Sequence, residues 1–248
     1  MRTAFQALRS LLFIAVMYLS MAVLAVVYLV PTLLTEDGAF RAIHTYCRFV
    51  RWSARVIVGL KSEIRGEVPV DEVIIASKHQ SFFDIIMIVS AVPRPKFIMK
   101  KSLVHAPIVG FFARKTGCIP VDRGKRGSAV KQMLADVQAG RARPGQLIIF
   151  PQGTRVAAGA RLPYKVGAGV LYRETRQAVI PAATNVGVFW KRHGIMRLPG
   201  TAVVEFLPAI EPGLGLSEFM ARLEEVVETN SDRLMAEAGF RGIENGDD

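Results

Sequence analysis

The sequence predicts an α/β protein: a single domain with a mixed, largely parallel sheet flanked by helices, preceded by an N-terminal hydrophobic and amphipathic helical module. Three observations carry this. From Lys61 onward, short apolar runs of strand length alternate with segments of helical periodicity. Ahead of them, Leu11 to Leu34 contains no charged residue. Between the two lies a stretch with arginines at helical spacing. The expected organisation is a membrane-attachment module over 1–60, the α/β domain over 61–240, and a tail over 241–248 expected to be disordered.

The run from Leu11 to Leu34 is long enough to cross a bilayer, for which roughly 20 apolar residues suffice. It is too long for a signal-peptide core and lacks a clear small-residue cleavage site, so it is expected to be retained. A buried core helix is the alternative. Pro31 can kink or end the helix, leaving a span and a re-entrant dip both open. In the next segment Arg41, Arg48, Arg51 and Arg55 fall within about a quarter of a helix circumference. Ile43, Tyr46, Val50 and Ile57 lie on the other side. Such a helix can rest among lipid headgroups, arginines on phosphates and the apolar face among acyl chains. The alternative is a solvated basic face.

Strands are expected at 72–79, 95–101, 118–122, 146–150, 178–186 and 201–210. Helices are expected at 82–92, 107–117, 128–140, 165–175 and 216–239, the last long and amphipathic. There is no internal repeat. The net charge of +11, from 32 Lys and Arg against 21 Asp and Glu, points to an anionic partner or surface. Nucleic acid and anionic lipid both qualify on charge. Cys47 and Cys118, the two cysteines, are too few for a disulfide framework or a zinc site, which favours a reducing compartment and no metal.

The chemistry-bearing residues gather in four blocks. In "HQSFFD" His79 and Asp84 are five apart, roughly 140° on one helix and too far to cooperate there. Ser81, however, fits an N-cap, and Asp84 three residues later fits the Ser-x-x-acid capping box. With His79 just outside the helix and Asp84 in its first turn, the carboxylate can hold the imidazole in one tautomer, as a general base requires. Taken alone, the block also reads as an ordinary capped helix start. "FPQGTR" (150–155) follows an apolar strand, and its backbone N–H groups, hydroxyl and guanidinium suit an anionic oxygen. It also reads as a tight surface turn. "GCIPVDRG" places Asp122 and Arg123 at a strand end, a pair that can equally be structural. "VIPAATN" carries Pro181 in an apolar strand, where packing is the plainer reading.

In this order and spacing the blocks resemble the 1-acyl-sn-glycerol-3-phosphate O-acyltransferases (lysophosphatidic acid acyltransferases, PlsC type) among the glycerolipid acyltransferases. "HQSFFD" is similar to the family's His-x4-Asp block, "GCIPVDR" to its Gly-x4-Asp-Arg block, and "FPQGTR" to Phe-Pro-Glu-Gly-Thr-Arg. "VIPAATN" resembles the last, Pro-containing block and "KFIMKKSL" a lysine-bearing strand. The resemblance covers about residues 60–210. It implies that His79 deprotonates the acceptor hydroxyl and that Asp84 orients it. It implies that Gly153, Thr154 and Arg155 grip the acceptor phosphate with Lys100 and Arg123 as helpers, and that Pro181 shapes the pocket. Gln152 departs from the family's Glu, and Ser102 stands where an acid is frequent, so the acceptor is less determined than the reaction.

That reaction would be direct acyl transfer from acyl-CoA or acyl carrier protein to a lysophospholipid acceptor, without cofactor or metal. There is no G-x-S-x-G elbow, and Ser81 is better used as the cap. Anionic membrane lipids are the implied surroundings, on the cytoplasmic (inner) membrane with the catalytic domain facing the cytoplasm. Arg2 and Arg9 before the apolar run, against Glu36 and Asp37 after it, support this orientation mildly. Two alternatives remain at this point. One is acylation of another lyso-lipid, such as a lyso-ornithine lipid or a lysophospholipid. The other is a non-catalytic basic protein binding membrane or nucleic acid, although nucleic-acid-binding motifs are absent.

Overall fold

The structure, a computed structural model, describes residues 2–122, 134–135 and 144–242. Its centre is a seven-stranded sheet in the order β1-β7-β6-β2-β5-β3-β4. The strands are β1 (Leu60–Arg65), β2 (Ile74–Ser77), β3 (Pro95–Lys100), β4 (Ile119–Val121), β5 (Gln146–Ile149), β6 (Val179–Thr184) and β7 (Gly200–Phe206). Every pairing is parallel except β6 with β7. β2 and β5 are buried along their whole length, as expected of parallel strands covered on both faces. The chain leaves β2 toward β3 on one side and leaves β5 toward β6 on the other. The carboxyl ends of these two adjacent strands therefore flank a topological switch point, where open α/β sheets bind ligands.

The apolar N-terminal run is not one helix. α1 spans Arg2–Val27, α2 Leu29–Leu34 and α3 Glu36–Ser53, the last continued by a π-turn over Ala54–Val58. The break has a covalent cause: Pro31 has no N–H for the Val27 carbonyl, so α1 stops there, while near the start of α2 the missing donor costs nothing. Thr35 then caps α3, its hydroxyl accepting the Gly38 N–H at 3.0 Å. Gly38 allows the reversal, because a Cβ there would lie 2.2 Å from the Pro31 carbonyl oxygen. α3 runs back along α1 antiparallel. Gln6 Nε2 donates to the Val58 carbonyl at one end, and the Tyr28 and Thr45 hydroxyls meet at 3.0 Å at the other.

α4 (Phe82–Ala91), apolar nearly all round, is buried against the sheet. α5 (Pro107–Lys115) opens with proline at its first position, where its fixed φ suits a helix. α6 (Gly167–Thr175), the short α7 (Val186–Phe189) and α8 (Leu216–Glu237) follow. α8 buries Phe219, Leu223, Val227 and Leu234 along one stripe, and Phe219 stacks on Tyr172 of α6 at 3.9 Å. Phe13 and Met17 of α1, with Cys47 and Val50 of α3, join the same core as Ile75, Phe83, Met87 and Ile148.

Two elements were not expected. β1 reads "LKSEIR", too charged for an apolar strand, and it forms on the sheet edge where such residues are tolerated. α7 is too short to show periodicity. The expected helix over 128–140 lies largely outside the described residues, of which 134–135 are helical, and 243–248 of the tail lie outside them too.

Phe13 is fully buried with its ring edge-on to Trp190 at 5.5 Å. Phe13→Ala is expected to remove about 3–5 kcal/mol, seen as a lowered thermal midpoint of the detergent-solubilised protein. An unchanged midpoint would show that α1 is not part of the core.

Candidate active site

β2 ends at Ser77 and α4 begins at Phe82, so four residues make the turn that carries His79. Ser81 is the N-cap, in extended conformation, and its hydroxyl accepts the Phe83 N–H at 3.3 Å. Asp84 completes the capping box. One carboxylate oxygen, Oδ2, accepts the backbone N–H groups of Gln80 and Ser81, both at 2.8 Å. The other, Oδ1, lies 3.0 Å from His79 Nδ1. Asp84 is fully buried in the first turn of α4, and these hydrogen bonds occupy both of its carboxylate oxygens. With Asp84 accepting, Nδ1 carries the proton and Nε2 keeps its lone pair.

One further contact holds the imidazole, whose side chain is 13% exposed, and two more hold the turn that carries it. Its ring stacks on Phe150 at 4.0 Å and 20°. The His79 carbonyl accepts the Val156 N–H at 2.7 Å, tying the "FPQGTR" loop to this turn. The preceding Lys78 is fully buried and paired with Glu228 of α8 at 2.5 Å.

The loop leaves β5 as a tight turn, Gly153 N–H to the Phe150 carbonyl at 2.8 Å, with Gly153 at φ +70°. Thr154 and Arg155 are half-buried, and Arg155 Nη1 donates to the Arg192 carbonyl at 3.2 Å. Lys165 joins them. Its ammonium comes within 2.6 Å of where a Cβ on Gly153 would stand, and it is the left-handed backbone there, φ +70°, that favours glycine. Gln152 points inward, 3% exposed, its Nε2 near the Leu162 carbonyl and Glu228 Oε1.

A cavity of about 310 Å³ opens beside His79. Its wall runs from Met21, Leu24 and Ala25 of α1, through Tyr46 of α3 and Ile85 of α4, to Phe97 of β3. His79 and Lys100 are its basic lining residues. Cys47 and Cys118 also line it, but Cys47 is buried and burial pushes the Cys118 thiol above its ordinary value, which makes either a poor nucleophile.

The structure thus brings His79, Asp84, Gly153, Thr154, Arg155 and Lys100 to the carboxyl ends of the adjacent strands β2, β5 and β3. Pro181 is not among the cavity residues: it lies buried in β6 opposite Ala76. Arg123 lies outside the described residues. Arg41, Arg48 and Arg55 are exposed on α3 and the turn after it. Arg51 is half-buried, donating to the hydroxyls of Ser62 and Ser90, both at 2.8 Å, so it braces α3 against β1 and α4. Sequence reasoning missed Lys165, Lys78, Glu228 and the ring partner Phe150. Glu228 is 150 positions from Lys78, and no local pattern links them.

Comparison with known proteins gives the family. Residues 60–185 match the Acyltransferase family. A 1-acyl-sn-glycerol-3-phosphate acyltransferase of Pseudomonas aeruginosa is 27% identical over 236 residues, covering 94% of this chain and 92% of that protein. The mouse 1-acyl-sn-glycerol-3-phosphate acyltransferase alpha is 26% identical over 206 residues, 81% of this chain and 72% of that one. The crystal structure of the LPA acyltransferase PlsC from Thermotoga maritima superposes with a TM-score of 0.78 at 19% identity, over 95% of this chain and 100% of that one, and so shares the fold. With the family match spanning half of its length, the chain belongs to the acyltransferase family.

Proposed function

We propose that the protein transfers a fatty acyl group from a thioester, acyl-CoA or acyl carrier protein, to the sn-2 hydroxyl of 1-acyl-sn-glycerol-3-phosphate, forming phosphatidic acid. The observation that carries this is the His79–Asp84 pair, 3.0 Å apart, in the wall of an apolar cavity and beside a basic loop. His79 Nε2 takes the proton of the acceptor hydroxyl as its oxygen bonds to the thioester carbonyl. The tetrahedral intermediate collapses, the C–S bond breaks, and the imidazolium returns the proton to the departing thiolate. Asp84 stabilises the imidazolium throughout. Such a base contributes typically about 10²–10⁴-fold. Gly153, Thr154 and Arg155, with Lys165 and Lys100, hold the acceptor phosphate.

The cavity takes the donor's acyl chain, where each buried methylene contributes about 0.8 kcal/mol. Residues 1–60 attach the enzyme to the cytoplasmic face of the inner membrane, where the thioester donors are available. α1 is long and apolar enough to cross a bilayer, with Leu8, Leu12, Leu19 and Val23 exposed. Its opposite face packs on the domain from Gln6 to Ala25, which favours a helix half sunk in the lipid over an independent span. Arg41, Arg48 and Arg55 then meet anionic headgroups.

Gln152 gives the other lyso-lipid acceptors little support. Its amide faces Glu228 beneath the loop, so its neutrality acts on the loop rather than on the acceptor's charge.

His79→Ala in membrane preparations is expected to lower kcat about 10²–10⁴-fold with the protein still folded, and Asp84→Asn to lower it about 10³–10⁴-fold by losing the tautomer. A variant at His79 that keeps turnover removes the mechanism. Offered a panel of lyso-lipids with both donors, the enzyme is expected to prefer lysophosphatidate, and a preference for another acceptor would replace that substrate. Ala25→Phe is expected to shorten the preferred acyl chain. Loss of two methylenes' burial, about 1.6 kcal/mol, is roughly 15-fold in relative kcat/KM against the longest donors.

A further inference from the structure

Behind His79 lies a second polar cluster, its ion pair closed to solvent and absent from the mechanism above. Lys78 is 0% exposed, Glu228 1% and Gln152 3%; Tyr164 is half-buried. The Lys78 ammonium donates to Glu228 Oε2 at 2.5 Å. The Tyr164 hydroxyl donates to Glu228 Oε1 at 3.0 Å, and Gln152 Nε2 approaches the same oxygen at 3.4 Å. Burial beside Glu228 pushes the Tyr164 hydroxyl far above its ordinary value, so it stays a donor. The cluster therefore holds one cation, one anion and two neutral donors. Arg161 and Glu224 also act on Tyr164, and Arg161 is paired with Asp232 at 2.5 Å.

The four residues come from four places: the residue before His79, the "FPQGTR" loop, the segment before α6, and α8. Glu228 is their common acceptor. Neither buried ion is tolerable without the other, and a half-satisfied cluster is worse than none. A carboxylate at position 152 would place an oxygen about 3.4 Å from Glu228 Oε1, with the Lys78 ammonium engaged on the other oxygen, Oε2.

We propose that Glu228 is a positioning residue: through Lys78 and Gln152 it sets the spacing between His79 and the Gly153–Arg155 loop, and position 152 must be neutral because Glu228 already supplies the one carboxylate Lys78 needs. This rests on the reading of His79 as the base. A misplacement of about 1 Å between base and substrate-holding groups can cost about 10²-fold in rate.

The test measures kcat and KM for lysophosphatidate with acyl-CoA, across neutral pH, in the full-length protein in membranes carrying Gln152→Glu, Glu228→Gln or both, with His79→Ala as reference. Gln152→Glu is expected to lower kcat about 10²-fold at alkaline pH and to recover as pH falls. Two carboxylates so close retain a shared proton, and they lose it as pH rises through the raised pKa. Glu228→Gln is expected to lower kcat at every pH. The double variant, which moves the carboxylate across the cluster without changing the net charge, is expected to return to within about tenfold of wild type, against the roughly 10²-fold single losses. Should Glu228→Gln not fold, the other two variants carry the test. A wild-type pH profile for Gln152→Glu overturns the proposal, as does a double variant no better than its worse parent. Retained activity in His79→Ala sinks the reading of the base, a result separate from both.

Discussion

Asp84 is buried without access to water, and its two carboxylate oxygens must find their donors within a few residues. One oxygen takes the N–H groups of Gln80 and Ser81, and the other takes His79 Nδ1. A carboxylate desolvated in this way is tolerated only when its hydrogen bonds are made, so the turn between β2 and α4 has little freedom. The start of α4 and the direction of the imidazole follow from the same two oxygens. Helix capping and orientation of the histidine are thus one interaction seen from two sides.

The rest of the site is arranged around that turn by the sheet. β5 lies beside β2 in parallel register, Ala76 opposite Ile149, so the "FPQGTR" loop leaves the sheet next to His79. Phe150 covers the imidazole and Val156 bonds to the His79 carbonyl. The same loop turns Gln152 inward to Glu228 and presents Gly153, Thr154 and Arg155 outward, with Lys165 against the glycine. The tight turn closed by the Gly153 N–H on the Phe150 carbonyl is what lets one loop serve a buried polar cluster and a basic rim at once.

The N-terminal helices have two uses as well. Their inward faces join the core through Phe13, Met17 and Val50 and build one wall of the apolar cavity. Their outward faces leave Leu8, Leu12, Leu19 and Val23 uncovered. This accounts for a mean hydropathy of +0.30 in a chain carrying a net charge of +11. The apolar residues are concentrated on one module, and much of the basic charge stands beside them or at the rim of the site.

Local pattern alone determined a good part of this. Ser81 and Asp84 identify the capping box because its spacing is internal to one helical turn, and the capping geometry places His79 before that turn. Apolar run lengths identify β2, β5 and β6 because strands buried on both faces need little besides apolar residues. The charged edge strand β1 escaped this reading, since only its pairing with β7 makes it a strand. Tertiary structure alone decided that the chain reverses after the apolar run, at Thr35 and Gly38, so that α3 folds back antiparallel on α1 and both pack on the domain, and that Arg51 braces α3 rather than standing free. It alone decided that Lys78, with no partner nearby in the chain, is neutralised by Glu228. The reason is the same in each case: a cap or a buried strand is written in neighbouring residues, whereas the partner of a buried charge is chosen by which elements the fold brings together.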